Sequence, residues 1–254
     1  MNYGWKRGLP SRKFPKLIAP VRVQLSPSKT LDLALFPPIW DQGDTNSCTG
    51  HGATRAIAYQ RAKQGLPYLD LSRLFPYWNG RMIDKAGPTD EGATIGAVIQ
   101  AAQQFGDCVY SDLPTKPDLA IVPPSAEAFA DAVQHKALSA TRIWGADSSG
   151  LEYHTKHSID VGGIPPVFGI TVYESFESDQ VGNTGIVPMP GPKEESVGGH
   201  CIVAVAYDDP SQMLTCANSW SDSWGLKGYF KIPYAYVFDP DLADDYHGIT
   251  LEAV

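Results

Sequence analysis

The sequence predicts an α+β protein, because segments typical of helices precede segments typical of strands along the chain. A helical pattern dominates before about residue 138, and short apolar runs bounded by turn residues follow it. With 24 Gly and 21 Pro among 254 residues, turns and irregular loops are favoured over long helices. This length allows one large domain or two lobes around a cleft.

Three helices are predicted in the first half of the chain. The first begins near Cys48 and ends at Gly65, a residue type that favours a helix C-terminus. The second spans roughly 94–105. The third begins at Ser125, whose hydroxyl is a suitable N-cap. Residues 111–124 hold four prolines and are predicted to form a loop.

Four strands are predicted in the second half of the chain. Strand-like runs occupy 167–173, 200–207, 213–218 and 228–232. The segment 208–211 is a strong turn signal, so the second and third runs are expected to form a hairpin. These strands predict a mainly β second lobe.

The hairpin places two polar residues opposite each other. If its turn centres on Asp209, His200 and Asn218 lie at equal distances on either side and become cross-strand neighbours. The Asn218 amide oxygen could then accept a hydrogen bond from the imidazole and fix its tautomer. Trp220 and Trp224 follow closely and could shield that bond from water. The same spacing also fits a His and an Asn that only cap the edge of a sheet.

Cys48 is the candidate nucleophile. It lies at the start of a predicted helix, where free N–H groups and the helix dipole favour a thiolate. A thiolate paired with an imidazolium is a stronger nucleophile at neutral pH than a thiol. Gly50 and Gly52 keep this helix end thin, so that another chain can approach. Gln42 could donate its side-chain amide to an oxyanion that forms beside the Cys48 N–H.

Other assignments of these residues stay open. His51 lies one helical turn from Cys48 and is a rival base. The two residues could also bind a metal, but no second ligand pair with zinc-like spacing accompanies them, so no metal or cofactor is predicted. Cys201 and Cys216 lie in apolar runs and are predicted to be buried structural thiols. The other four histidines are predicted at the surface: His135, His154, His157 and His247.

The charge distribution separates a basic N-terminal arm from an acidic body. The net charge of −8 argues against nucleic acid as the main partner. Residues 1–16 nevertheless carry five basic residues and no acidic one: Lys6, Arg7, Arg12, Lys13 and Lys16. One hypothesis places the arm, residues 1–30 with a short strand at 21–25, across or beside the cleft. There Lys6, Arg7, Arg12 and Lys13 could pair with Asp44, Asp90 or Glu91. Alternatively, the arm only belts the second lobe.

Targeting signals are not evident in the sequence. No stretch approaches the roughly 18 apolar residues that a membrane span needs, so no membrane association is predicted. The polar N-terminus lacks the apolar run of a secretory signal. We therefore expect a cytoplasmic protein or one exported by a route without a leader.

Three segments in the same order resemble the papain-like cysteine peptidases. Residues 42–48 (QGDTNSC) resemble the segment with the oxyanion glutamine and the nucleophile, including its six-residue interval. Residues 197–208 (VGGHCIVAVAYD) are similar to the histidine strand of that family. Residues 218–230 (NSWSDSWGLKGYF) are similar to its asparagine motif. Together the matches span roughly 36–235, most of the chain.

The resemblance implies a papain-like two-lobe fold with the active site in the cleft. A mainly helical left lobe over 31–138 would carry the nucleophile, and a β-barrel-like right lobe over 139–254 would carry the histidine and asparagine. The resemblance also implies hydrolysis of protein or peptide substrates through a thioester acyl-enzyme.

The resemblance further assigns roles to individual residues. Cys48 would attack the carbonyl, His200 would act as acid and base, Asn218 would orient His200, and Gln42 would stabilise the oxyanion. The implied substrate-binding residues are Gly92, Glu91, Gly199 and Trp220, with Gly92 hydrogen-bonding the substrate backbone. With the same residues, the protein could instead be an amidase or transpeptidase, or a catalytically silent binding module.

Some positions depart from the pattern of the plant and lysosomal members. Thr49 follows the nucleophile where those members have Trp, and Thr45 stands where they have a disulfide cysteine. Ser221 replaces the usual glycine after Trp220. The long inhibitory propeptide is also missing. These departures favour a bacterial or phage branch of the family.

Overall fold

The computed structural model describes residues 3–8, 14–19, 21–136 and 138–251, and its architecture is α+β as predicted. The helices are α1 (Cys48–Lys63), α2 (Leu74–Ile83), α3 (Ile95–Phe105), α4 (Pro117–Ala120), α5 (Ala126–Ala132), α6 (Ser148–Asp160), α7 (Asp179–Thr184) and α8 (Tyr234–Val237). The strands are β1 (Lys16–Leu17), β2 (Ser28–Thr30), β3 (Leu138–Ile143), β4 (Pro166–Tyr173), β5 (Ser196–Asp208), β6 (Met213–Ala217), β7 (Tyr229–Pro233) and β8 (Ala243–Leu251). No helix in this described part of the chain is both long and apolar enough to cross a membrane.

Helix α1 lies at the centre of the molecule, packed against the sheet on one side and against α2 and α3 on the other. Its first thirteen residues are all buried. A Cβ atom added to Gly50 would lie 2.0 Å from the Arg73 carbonyl oxygen, and one added to Gly52 would lie 2.7 Å from Cys201 Sγ. Small residues at the start of α1 therefore allow α2 and β5 to approach it closely.

The three predicted helices are confirmed, and side-chain caps account for two of their starts. Thr94 Oγ1 accepts a hydrogen bond from Ala97 N at 3.2 Å, and Ser125 Oγ accepts one from Ala128 N at 3.2 Å. These bonds satisfy N–H groups that the first turn of a helix leaves without a partner. The predicted loop at 111–124 contains the short helix α4.

One sheet holds the strands together in the order β1-β3-β8-β4-β5-β6-β7, and β2 adds to the edge of β5. All pairs are antiparallel except β1 with β3. Strand β5 is the longest, and its central residues are buried. The second half of the chain is not made of strands alone, because α6 packs against β2, β3 and β5.

The N-terminal arm forms its strands elsewhere than predicted. The prediction of a strand at 21–25 is wrong, since β1 and β2 lie on either side of it. The segment between them hydrogen-bonds to α6 instead. Val23 N donates to Tyr153 Oη at 2.8 Å, and Ser26 N donates to Asp160 Oδ2 at 2.8 Å. Side chains of α6 thus take up the backbone donors that a strand would pair with a neighbour.

The predicted hairpin register is also wrong, although the predicted contact between its two polar side chains forms. Val203 pairs with Ala217, so the register is shifted by two residues and Asn218 lies just beyond the end of β6. A β-bulge between residues 204 and 206 shifts it further toward the turn. A shift of two residues keeps the same faces of both strands together. His200 and Asn218 therefore become diagonal rather than direct neighbours, within reach of each other's side chains.

Candidate active site

Cys48 is the first residue of α1 and is fully buried. Its sulfur lies beside the backbone N–H groups of Thr49 and of Cys201, the residue after His200. Burial raises the pKa of the thiol to about 11, while these N–H groups act in the opposite direction. In this arrangement Cys48 is a neutral thiol next to the strand that carries the candidate base.

His200 lies on β5 and is held by Asn218. Its Nε2 is 2.7 Å from Asn218 Oδ1, which also accepts a hydrogen bond from Ser219 N at 2.8 Å. Because an amide oxygen only accepts, Nε2 must carry the proton. The other ring nitrogen, Nδ1, is buried and has no hydrogen-bond partner among the described residues. Burial lowers the pKa of His200 to about 4, and the bond to Asn218 opposes this.

An aromatic cluster covers the bond between His200 and Asn218. The Trp220 ring lies over the imidazole, with centroids 4.7 Å apart and an angle of 30° between the planes. Trp224 packs edge-on to Trp220 at 5.2 Å, and Phe176 packs edge-on to it at 5.5 Å. The position of Phe176 was not predicted, because it lies in a polar segment far from both motifs. Water is excluded from one side of the imidazole by these rings.

Gln42 joins the loop before α1 to the segment after Asn218. Its Nε2 donates to Thr45 O at 2.7 Å, and its Oε1 accepts from Ser219 Oγ at 2.7 Å. Its backbone N also donates to Ser219 O at 2.9 Å. The buried Gln42 amide is thereby fixed in position close to both motifs.

His51 is tied to the turn that precedes it. Its Nδ1 lies 3.0 Å from Ser47 O and 3.1 Å from Ser47 Oγ. Burial, with a smaller contribution from the nearby guanidinium groups of Arg73 and Arg55, lowers its pKa to about 3, although the hydrogen bond to Ser47 acts in the opposite direction. His51 is therefore neutral at pH 7 and uses one ring nitrogen within its own helix turn.

Residues 3–6 of the arm run through the cleft between the two lobes. Trp5 N donates to Gly199 O at 2.9 Å, on β5. On the other side, Ala93 N donates to Gly4 O at 2.8 Å, and Lys6 N donates to Ala93 O at 3.1 Å. The arm is thus hydrogen-bonded to both walls of the cleft.

The arm also covers the candidate catalytic pair. The backbone N–H groups of Gly4 and Trp5 lie near the Cys48 sulfur. The Tyr3 ring packs edge-on to His200 at 6.3 Å and to Trp220 at 6.1 Å. These contacts close the cleft directly over the residues that would react.

The rim of the cleft holds the remaining predicted binding residues. Lys6 Nζ is 3.8 Å from the exposed carboxylate of Glu91. Gly92 has a φ of 88°, and its N–H donates to Tyr77 Oη at 3.0 Å. The bonds to the arm backbone are made by Ala93, which the sequence did not single out. Alanine is an ordinary apolar residue, so its type did not indicate a binding role, although Ala93 directly follows Gly92.

The predicted charge pairs of the arm form only in part. Besides Lys6 with Glu91, Arg7 donates to the backbone oxygens of Pro240 and Asp241 at 3.0 Å each. Arg12 and Lys13 lie outside the described residues. The backbone N of Asn46 donates to Asp90 Oδ2 at 3.0 Å, and Tyr77 Oη donates to Asp90 Oδ1.

The other cysteines and one histidine are structural. Cys108, Cys201 and Cys216 are buried free thiols, and burial raises the pKa of each. The prediction that His247 lies at the surface is wrong, since it is fully buried with Nε2 2.8 Å from Asp245 Oδ1. Across the described ranges no three His, Cys, Asp or Glu side chains cluster as metal ligands would.

Comparisons with known proteins point to one group of enzymes. A family model described as papain family cysteine protease matches residues 131–239. A protein of Acanthamoeba polyphaga mimivirus, described as an uncharacterized peptidase C1-like protein, is 36% identical over 215 residues, which cover 81% of this chain and 67% of the viral protein.

Solved structures show the same similarity. Xylellain, a cysteine protease from Xylella fastidiosa, superposes with a TM-score of 0.87 at 29% identity, over 99% of this chain and 97% of that chain. The digestive procathepsin L 3 of Tenebrio molitor larval midgut superposes with a TM-score of 0.71 at 17% identity, over 98% and 76% of the two chains, and is similar in fold. The predicted two-lobe fold is confirmed by these superpositions.

Proposed function

Because the chain belongs to the papain family of cysteine proteases, we propose that it hydrolyses peptide bonds with Cys48 as nucleophile and His200 as acid and base. The observation that carries this assignment is the bond from His200 Nε2 to Asn218 Oδ1. It leaves Nδ1 as the basic nitrogen, and Nδ1 has no partner among the described residues. The Cys48 sulfur lies beside the residue that follows His200.

The reaction would begin with proton transfer from the Cys48 thiol to His200 Nδ1. The thiolate then attacks the peptide carbonyl carbon, and the carbonyl oxygen becomes an oxyanion. The Cys48 backbone N–H and the Gln42 amide would stabilise that charge. His200 returns the proton to the leaving amine nitrogen as the C–N bond breaks, which leaves a thioester on Cys48.

Hydrolysis of the thioester would complete the cycle. His200 takes a proton from water, the hydroxide attacks the thioester carbonyl, and the thiol leaves with that proton. Asn218 would keep the imidazole in plane through both proton transfers, and Trp220 would keep water from competing for their hydrogen bond.

The arm would hold the intact chain in a resting state. With residues 3–6 in the cleft, both Cys48 and His200 are fully buried, and a thiolate with an imidazolium is disfavoured there. Displacement of the arm would expose the pair to water and substrate and favour ionisation. We therefore expect low activity from the intact chain and higher activity once the arm leaves.

The alternatives share this catalytic machinery. An amidase or a transpeptidase would use the same acyl-enzyme and differ in its substrate or in the nucleophile that resolves the thioester. A silent binding module is disfavoured by the presence of Cys48, His200, Asn218 and Gln42 in hydrogen-bonded or adjacent positions. A mixture of peptides incubated with the protein, followed by mass spectrometry, separates hydrolysis from transfer to an amine.

The test of the proposal is thiol labelling with peptide mapping, together with peptide hydrolysis. Labelling and hydrolysis are compared between the intact protein and a truncated variant that lacks residues 1–8 only, so that β1, which belongs to the sheet, is kept. We expect an epoxide to label Cys48 faster in the truncated protein and slowly in the intact one. Label on Cys108 or Cys201 instead, or full hydrolysis by Cys48→Ala, would refute the assignment.

A further inference from the structure

Thr45 closes the loop before α1 onto Gln42 by three hydrogen bonds. Its backbone N donates to Gln42 O at 3.2 Å, and its Oγ1 donates to the same oxygen at 2.8 Å. In return, Gln42 Nε2 donates to Thr45 O at 2.7 Å. Both residues are buried, so these bonds are shielded from competing water. The side chain of the proposed oxyanion donor is therefore tied to a residue three positions further along the chain.

The bond to Thr45 O fixes the direction of the Gln42 amide. Because a carbonyl oxygen only accepts, the nitrogen end of the amide must face Thr45 O. Its oxygen end then lies 2.7 Å from Ser219 Oγ. The amide nitrogen carries two hydrogens, and the bond to Thr45 O takes one of them. The proposed bond to the oxyanion would use the other, so the position of Thr45 sets where that hydrogen points.

A chain of hydrogen bonds holds Thr45 in turn. Thr45 Oγ1 lies 2.6 Å from Ser47 Oγ, which lies 3.1 Å from His51 Nδ1. Each hydroxyl has one hydrogen, and Thr45 Oγ1 gives its hydrogen to Gln42 O, so Ser47 Oγ must donate to Thr45 Oγ1. His51 Nδ1 must then donate to Ser47 Oγ, and its contact with Ser47 O at 3.0 Å requires the same tautomer. The donors therefore run in one direction, from His51 to Gln42.

The hydroxyl of Ser47 does not make the contact that is usual for its position. Ser47 is the N-cap residue of α1, where a serine hydroxyl commonly accepts from an N–H group of the first turn. Among the described residues its side chain makes no such bond. It is buried between Thr45 and His51 instead, and loss of a partner there would leave a buried donor unsatisfied.

We infer that Thr45 is a positioning residue for the proposed oxyanion donor, and that its hydroxyl, oriented by Ser47, holds the Gln42 amide for the transition state. His51 lies at the far end of the chain, and Ser47 can donate to Thr45 without it. All four cysteines are free thiols, so hydrogen bonds rather than a disulfide tie this loop. The inference rests on the proposed function, since Gln42 stabilises an oxyanion only if Cys48 attacks a carbonyl.

The experiment compares Thr45→Val with Thr45→Ser in the full chain carrying Trp5→Ala. Only 6% of Trp5 is exposed, and its ring lies 1.9 Å from the position of a Cβ atom on Gly169, so loss of this close packing weakens the hold of the arm on the cleft. We expect Thr45→Val to lower kcat at least about tenfold and to change KM by less than about threefold, as loss of transition-state stabilisation does. Thr45→Ser keeps the hydroxyl and should retain most of kcat.

Dependence on Gln42 separates positioning from a general structural role. In a Gln42→Ala background, Thr45→Val should cause no further fall in kcat, because a residue that acts through Gln42 then has nothing to position. Thr155→Val is the matched control and should keep kcat. Thr155 is also a buried threonine, and its hydroxyl has no partner among the described residues.

Three results would overturn the inference: equal falls in kcat with and without Gln42, a loss in Thr45→Ser as large as in Thr45→Val, or an unchanged kcat in Thr45→Val. Thermal unfolding checks that each variant is folded. If Thr45→Val does not fold, Thr45→Ala replaces it with the same expected results, because it also removes the hydroxyl and requires less space.

Hydrogen exchange of the Gln42 side-chain amide tests the contact without any cleavage. Exchange should become at least about tenfold faster in Thr45→Val and stay unchanged in Thr155→Val. If peptides are cleaved but neither exchange nor kcat responds to Thr45→Val, only the inference fails. If no peptide is cleaved and iodoacetamide does not label Cys48 in Trp5→Ala, the proposed function fails and the catalytic role of Thr45 falls with it.

Discussion

His200 Nε2 lies 2.7 Å from Asn218 Oδ1 across diagonal positions of β5 and the end of β6. This bond decides which nitrogen of the imidazole is basic.

Asn218→Ala would leave a buried N–H without a partner, which costs roughly 1–3 kcal/mol. We expect kcat to fall about 10- to 100-fold. The pH at which His200 titrates should also move down, because the bond raises its pKa. Unchanged kcat and titration would show that Asn218 does not position the base.

The two histidines near Cys48 should behave differently on substitution. His200→Ala should abolish peptide cleavage and slow alkylation of Cys48, since the basic Nδ1 is lost. His51→Ala should preserve both reactions, because His51 Nδ1 is used by Ser47 and its pKa is held near 3. Thermal unfolding of each variant serves as the folding control. Loss of cleavage in a folded His51→Ala protein would make His51 the base instead.

The side-chain amide of Gln42 is the proposed oxyanion donor. Gln42→Ala should lower kcat by about 10²- to 10³-fold with a smaller change in KM, as loss of an oxyanion donor does. Ser219→Ala is the matched variant, because it removes the partner of Gln42 Oε1 and keeps the amide donor. We expect it to lose far less activity. Equal effects of the two changes would indicate that Gln42 only joins the two segments.

Closure of the arm should depend on pH. The pKa of His200 is about 4 with the arm in place, against an ordinary 6.5, so the closed state binds fewer protons than the open one. Closure therefore weakens as pH falls from about 6.5 toward 4. The pKa of Cys48 is about 11 against 9.0, so closure also weakens as pH rises from 9 toward 11. When one proton is involved, the equilibrium constant for closure of the arm changes by at most about tenfold per pH unit.

Hydrogen exchange of the Trp5 amide measures this closure directly, because that N–H is bonded to Gly199 O. After correction for the intrinsic rate, protection should be greatest between about pH 6.5 and 9. In His200→Gln the loss of protection on the acid side should disappear. Constant protection from pH 4 to 8 in the unmodified chain would contradict the prediction.

Gly4→Ala should expel the arm without shortening the chain. A Cβ at this position would lie 1.6 Å from Asn46 O, a backbone atom that cannot move aside easily. We expect Cys48 alkylation to become at least about tenfold faster, the result of losing roughly 1.4 kcal/mol of closure. Gly191→Ala, whose Cβ would lie 3.7 Å from Glu194 Oε2, should behave like the unmodified protein.

The elements around the catalytic motifs were predictable from local signals. Helix α3 has Thr94 as a capping residue, and the turn after β5 is rich in turn-forming types. The exact register was not predictable, because the turn centres between residues 210 and 211 rather than on Asp209, and because the bulge between residues 204 and 206 has no sequence signature. The predicted contact of His200 with Asn218 forms nevertheless, because a register shift of two residues leaves the same side chains on the same face of the sheet.

Other elements escaped prediction for physical reasons. Helix α2 contains Pro76 and several aromatic residues, a composition that does not favour a helix on its own. Strand β8 has two aspartates directly after its first residue, and aspartate is rare in strands. The strand nevertheless brings Asp245 Oδ2 to 3.1 Å from Ile95 N at the start of α3. Gly169 lies within a predicted strand, but its importance depends on Trp5, which is distant in sequence. For α2, β8 and Gly169 alike, contacts with residues distant in sequence determine the structure or the role.

The attachment of the arm to the sheet has a consequence for how the protease would be switched on. Pro15 O accepts from Arg142 N at 2.9 Å, and β1 pairs with β3, so Pro15 is a fixed anchor that follows residues 3–6 by about a dozen positions or fewer. A short tether holds its end near the binding site at an effective concentration of about millimolar. Dilution cannot lower that local concentration, so activation requires a competing peptide that binds tightly enough to outweigh it, or a cut in the tether.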